Sequence, residues 1–127
     1  MKTMLAFLVV FLVGCASVAY DPIEYDRFIT IATTAELGKP SCDSRGPAVI
    51  KPIVNHMFVM SSIAKRHADN KQLKIETEIA TNLHEIVKNM KNRYDSGEIV
   101  SPEYCKEKMT NIEDAANRAS VAIGGKK

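Results

Sequence analysis

The chain has no membrane-length apolar run, no dominant charge sign and no strand-like alternation, and each absence excludes a class of protein. Its extended apolar stretch, Met4 to Val13, covers ten residues; a bilayer-spanning helix needs about 20. Lysine and arginine number 17 against 15 aspartate and glutamate, a balance without the basic face that nucleic-acid binding requires. Internal repeats and low-complexity segments are also missing. There is no Gly-Xaa-Ser-Xaa-Gly elbow and no phosphate-binding loop. His84-Glu85 could open a zinc-protease helix motif, but Lys88 stands four residues past His84, so the second ligand is absent. His56 and His67 share a predicted helix face yet lie about 16 Å apart along it. The carboxylates fall mainly on polar helix faces, where solvation accounts for them. These absences lead to the expectation of a protein that is not an enzyme, holds no metal and needs no cofactor.

The N-terminus is what stands out. Lys2 precedes the apolar stretch, whose length suits the core of an export signal at about 7–15 residues. Small residues, Gly14, Ala16 and Ser17, surround Cys15. Leu12-Val13-Gly14-Cys15 resembles the lipobox of bacterial lipoproteins. The resemblance covers residues 1–15 and implies a lipid-bearing thiol at Cys15, cleavage just before it, and further acylation with chains such as palmitate. More than one chain gives stable anchoring, whereas a single chain is marginal. With Ala16 rather than aspartate next, the implied location is the periplasmic face of the outer membrane. An uncleaved anchor and an ordinary cleaved signal are the competing readings.

Residues 1–14 are thus expected to be a signal peptide, 15–20 a lipidated tether, 21–125 a helical bundle domain and 126–127 a basic tail. Export leaves Cys42 and Cys105 in an oxidising compartment, where an even pair reads as a disulfide; two buried free thiols are the alternative.

The spacing of apolar residues predicts four helices. The first starts at Asp21-Pro22, with Glu24 placed as a capping-box carboxylate and Tyr25, Phe28, Ile29, Ala32 and Ala35 on one stripe. The second runs from Pro47 to about Asn70 on Ile50, Ile53, Met57, Met60, Ala64 and His67, with Pro52 near its start. The third covers 72–94 on Leu73, Ala80, Leu83, Val87, Met90 and Tyr94. The fourth opens at Ser101-Pro102 and follows Cys105, Met109, Ile112, Ala116, Ala119 and Ile123. The expected fold is all-α, an up-and-down four-helix bundle with one disulfide. In that topology the loop holding Cys42 and the start of the last helix fall at one end. The tether and the 69–71 turn fall at the other.

A bundle without chemistry works by binding. One cysteine after the first helix, one at the start of the last and a lipid ahead of both looks like the layout of the helical pilotin lipoproteins. These escort secretin subunits to the outer membrane and hold an amphipathic secretin segment in a groove between helices. The likeness is one of layout, in "SCDS" and "SPEYC", and carries no residue across position by position. It implies a non-catalytic protein-binding module with a periplasmic or outer-membrane protein partner. The alternative is a phage-encoded or defensive lipoprotein, acting in superinfection exclusion, wall-enzyme inhibition or lysis. The apolar surface of the second helix is wider than one stripe. Val49, Ile53, Met57, Met60 and Ile63 are therefore the candidate partner-binding residues, unless that helix is simply central.

Overall fold

The computed structural model describes residues 21–44 and 46–125, and its main elements are helical throughout. The expected signal peptide, Cys15, the tether at 15–20 and Lys126-Lys127 lie outside the described residues. Five α-helices follow one another: α1 (Pro22–Gly38), α2 (Ser41–Ser44), α3 (Pro47–Asn70), α4 (Lys74–Asp95) and α5 (Pro102–Ser120), with a final irregular turn at Val121–Gly125. The single-turn α2 sits in the segment that the sequence suggests as the loop holding Cys42.

Local chemistry sets the boundaries. Asp21 Oδ1 accepts hydrogen bonds from the backbone N–H groups of Ile23 and Glu24 at 3.1 and 3.2 Å, which caps α1. Glu24 makes no reciprocal capping contact; its side chain turns inward instead. Ser101 caps α5 by accepting from Tyr104 N at 3.1 Å, and Pro102 occupies the first turn, where its missing N–H costs nothing. Gly97, at φ 80°, follows α4 in the left-handed region. At the end of α3 the chain closes a Schellman turn: Leu73 N donates to Ala68 O and Gln72 N to Asp69 O. The left-handed position of that turn is Gln72, at φ 58°, where glycine is usual.

The four long helices pack antiparallel. Helix α1 lies against α3 and α5, and α4 closes the square against the same two. The core is built from Phe28, Ile31, Ala32 and Ala35 of α1, Ile50, Val54, Met57 and Ala64 of α3, Ala80, Leu83, Val87 and Met90 of α4, and Cys105, Met109, Ile112, Ala116 and Ala119 of α5. Full burial of one of the larger side chains stabilises by about 1.5–3 kcal/mol. Two stripes differ from expectation. On α1, Ile31 is fully buried and Ile29 only partly. On α3 the inward stripe is Ile50, Val54, Met57, Ser61, Ala64 and Ala68, with Ile53, Met60 and His67 on its flank. Small residues bring α1 close to α5: a Cβ on Gly38 would lie 3.2 Å from Ile53 Cγ2 and 3.3 Å from Met109 Cε.

Cys42 and Cys105 form the expected disulfide, with Cα atoms 5.6 Å apart across 63 residues of sequence. It ties α2 to the first turn of α5. Lys106–Asp43 and Lys39–Glu113 ion pairs lie at the same end, both at 2.5 Å.

Candidate functional site

The opposite end of the bundle gathers the start of α1, the end of α3 and the start of α4. Three acidic side chains converge there and are almost wholly out of water: Asp21 at 4 % exposure, Glu24 at 0 % and Glu76 at 5 %. The expectation that carboxylates sit mainly on polar, solvated faces does not hold for Glu24 and Glu76, while Asp21 keeps its expected place as the cap of α1. Helix register is the reason. Glu24 is in line with Phe28, Ile31 and Ala35, and Glu76 with Ala80, Leu83 and Val87, so each lies on its helix's core stripe.

Cations meet only part of this charge. His67 Nε2 lies 2.9 Å from Asp21 Oδ2, and Lys71 Nζ donates to the same oxygen at 3.3 Å. Arg27 pairs with Glu24 Oε1 at 3.4 Å, one turn along α1. One oxygen on each glutamate, Glu24 Oε2 and Glu76 Oε2, is buried with no hydrogen-bond partner. Such a group costs about 1–3 kcal/mol, and more when charged.

The electrostatics follow from this geometry. Burial pushes the Glu24 carboxyl up to about 7, and the neighbouring Glu76 charge adds to the rise against the opposing pull of Arg27. Glu76 also rises to about 7, through burial and then the Asp21 charge. Asp21 goes the other way. Burial alone would raise it, but the Glu24 backbone N–H, His67 and Lys71 together hold it at about 2. The cluster therefore contains one firmly ionised carboxylate and two that gain and lose protons near neutrality. Ligand-type atoms of Asp21, His67 and Glu76 lie within 4.8 Å of one another, and among the described residues this group could hold a metal ion.

A second buried polar pair lies on the α3–α4 seam. Ser61 Oγ is 2.9 Å from both His84 Nδ1 and the Phe58 carbonyl oxygen. A hydroxyl has one proton to donate. If Ser61 gives it to Phe58 O, His84 must donate Nδ1–H to Ser61, and both contacts are satisfied. Burial lowers the His84 pKa, consistent with a neutral ring stacked near Phe58 at 4.9 Å between centroids. Ser61 is fully buried, so this serine–histidine pair is a packing element of the seam.

The candidate partner-binding residues are not brought to one surface. Met57 is fully buried in the core and offers nothing to a partner. Ile53 packs toward Gly38 of α1. Met60 borders a shallow depression with Pro22 and Ile23. Val49 is half-buried. Ile63 points outward, 42 % exposed, one turn from the exposed Val59. Among the described residues a concave apolar surface lies elsewhere: an open cleft of about 320 Å³ between α4 and α5, lined by Ile79, Leu83, Ala115, Ala119 and Ala122, with Asn82 and Arg118 at its polar edge. The small side chains of Ala115 and Ala119 on α5, with Ala122 just past its end, leave this cleft toward α4.

None of the helices among the described residues is long and apolar enough to cross a membrane. Comparison with family models, curated proteins and solved structures finds no match to this chain, so its function has to be read from its own geometry.

Proposed function

We propose that the protein is a lipid-anchored, non-catalytic binding module on the periplasmic face of the outer membrane, and that it holds an amphipathic helix of a partner protein between α4 and α5. The observation that carries the binding part is the apolar cleft itself. Two antiparallel helices separated by alanines leave a trough parallel to their axes, the shape into which the ridge of a third helix packs. Its floor is Ile79, Leu83 and three alanines, which suits bulky aliphatic side chains at i, i+3 and i+4. Arg118 on the rim favours an acidic residue beside that apolar face. The anchoring part rests on Leu12-Val13-Gly14-Cys15, and the disulfide supports an extracytoplasmic setting. The pilotin-like layout belongs to the same reading.

A photo-crosslinking residue at Ala122, in the cleft, tests it in intact cells. The expected result is one discrete adduct to an envelope protein. The same residue at Leu37, which is apolar and 71 % exposed on α1, should give none. Ala119→Trp, which fills the cleft, should abolish the Ala122 adduct. Equal labelling from Leu37, or an adduct that survives Ala119→Trp, overturns the reading. Mass spectrometry of the membrane fraction should show residues 15–127 plus acyl mass, and Cys15→Ser should release the protein from that fraction. An unmodified N-terminus at another residue refutes the anchor.

A further inference from the structure

We propose that Asp21, His67 and Glu76 form a binding site for one divalent transition-metal ion of the zinc type, which clamps the start of α1 to the α3–α4 turn. The site does not depend on the binding-module reading; it lies at the end of the bundle where α1 begins.

Three observations point to a cation of this class. The first is convergence: one imidazole nitrogen and two carboxylates, from three separate elements, place ligand-type atoms within 4.8 Å of one another. Zinc bonds to histidine nitrogen and carboxylate oxygen of about 2.0–2.2 Å imply ligand–ligand edges of about 3.4 Å in a tetrahedral site. His67 Nε2 and Asp21 Oδ2 are already 2.9 Å apart, so the remaining closure falls to Glu76. The second is the unmet valence of Glu76. Its side chain is 5 % exposed, it belongs to the cluster, and its Oε2 has no hydrogen-bond partner. Glu24 Oε2, fully buried and electrostatically coupled to Glu76, is in the same condition. These two buried oxygens without a hydrogen-bond partner leave acceptor capacity that the resident cations do not meet and that a bound cation would take up. The third is the donor set. One imidazole with two carboxylates suits zinc and its neighbours. Calcium needs six to eight oxygens, which these residues do not provide.

Binding changes two existing contacts. His67 Nε2 becomes the ligand atom, so the neutral ring carries its one proton on Nδ1 and gives up the Nε2 hydrogen bond to Asp21. Lys71, which now donates to the same Asp21 oxygen, is about half exposed and can swing into solvent. Lys71 is thus a resident cation that the metal displaces, and its removal should help the metal. Three protein ligands leave a fourth position open to water.

The test uses the purified, tag-free full chain in detergent, stripped of metal and titrated with Zn²⁺ alone by calorimetry. The expected result is one saturable site per chain and a rise in melting temperature with Zn²⁺. His67→Gln and Glu76→Gln should each weaken binding by at least about tenfold, while His56→Gln, on an exposed face of α3, should change nothing. Lys71→Ala should tighten binding several-fold, an effect that loss of a structural ion pair cannot produce. In ¹⁵N spectra of the wild-type protein, Zn²⁺ should shift the His67 ring nitrogens and leave those of His56 and His84 in place. This readout holds even if a variant fails to fold. Absence of a 1:1 site, or Zn²⁺ shifts at His56 or His84 with none at His67, overturns the proposal.

Discussion

Replacing Glu76 by glutamine should make the protein more stable above neutral pH and leave it almost unchanged near pH 4, below the ordinary glutamate value of 4.5. In the folded chain Glu76 and Glu24 titrate near about 7 against an ordinary 4.5, chiefly because burial penalises their anions. A group that binds its proton more tightly when folded contributes its stability in full below the unfolded value. That contribution is lost as pH rises through the folded value. The losing window for both glutamates is therefore 4.5 to about 7. Asp21, held at about 2 against 3.8, has the opposite sign: its contribution is present above 3.8 and fades as pH falls through 2. His84, pushed down by burial, costs stability as pH falls below 6.5. Comparing variant with wild type at each pH cancels the His84 effect. At 1.36 kcal/mol per pKa unit, a lift from 4.5 to 7 corresponds to about 3 kcal/mol at full ionisation. That is a large share of the roughly 5–15 kcal/mol that holds a domain together. Glutamine has the shape of the neutral acid, and its amide can donate to Asp21 as protonated Glu76 would. It also removes the charge that helps raise Glu24; Arg27, Lys71 and His67 remain. Urea denaturation followed by far-ultraviolet circular dichroism, with EDTA present throughout, should give nearly coincident curves at pH 4, below the unfolded value of 4.5. At pH 8.5 the variant should be more stable by about 3 kcal/mol, or more than about 10 °C in melting temperature. A difference that is independent of pH, or a variant that is weaker at pH 8.5, would refute the reasoning.

Three further outcomes are expected. Cys42→Ser should lose about 2–4 kcal/mol by removing a cross-link over 63 residues, and non-reducing peptide mapping of the wild type should recover one Cys42–Cys105 pair. Gln72→Gly should stabilise by about 1 kcal/mol, because the left-handed C-cap position that Gln72 occupies at φ 58° strains a residue with a Cβ; an unchanged denaturation midpoint would contradict this. Gly38→Val should cost about 1–3 kcal/mol, since Ile53 and Met109 already stand within 3.3 Å of the first added carbon and both helices would have to part; thermal melting checks it.

The helices were legible because their caps and their 3.6-residue periodicity agree. Asp21-Pro22 and Ser101-Pro102 open helices where such pairs should, and Cys105, Met109, Ile112, Ala116 and Ala119 are buried as a set. Helix α3 was harder to read for a physical reason. Ile53 and Met60 are as apolar as Val54 and Met57, so nothing within the helix says which row faces inward. The row that does includes Ser61, a polar residue whose partner His84 is 23 positions away. A buried polar pair of that kind is invisible to hydropathy and breaks the pattern that hydropathy seeks.

The charged cluster was missed on different grounds. Asp21 and His67 are 46 residues apart and Asp21 and Lys71 are 50, so no local motif connects them, and each side chain taken singly fits a cap or a solvated face. Two signals were nevertheless present. Glu24 and Glu76 each occupy the first turn of a helix in register with its core stripe, a position that a surface carboxylate does not need. The topology that places Cys42 beside Cys105 at one end also places the start of the first helix beside the turn between the second and third at the other. Applied to charged residues as it was to cysteines, that one rule brings Asp21, His67, Lys71 and Glu76 to the same bundle end. What it leaves undecided is burial. Whether these groups face water or one another is set by three-dimensional packing: Glu24 and Glu76 lie on core-facing stripes, and His67 and Lys71 reach Asp21 from the end of α3. The Schellman closure at Ala68 and Leu73 fixes the reversal that carries the chain from His67 and Lys71 to Glu76, at the cost of a left-handed Gln72.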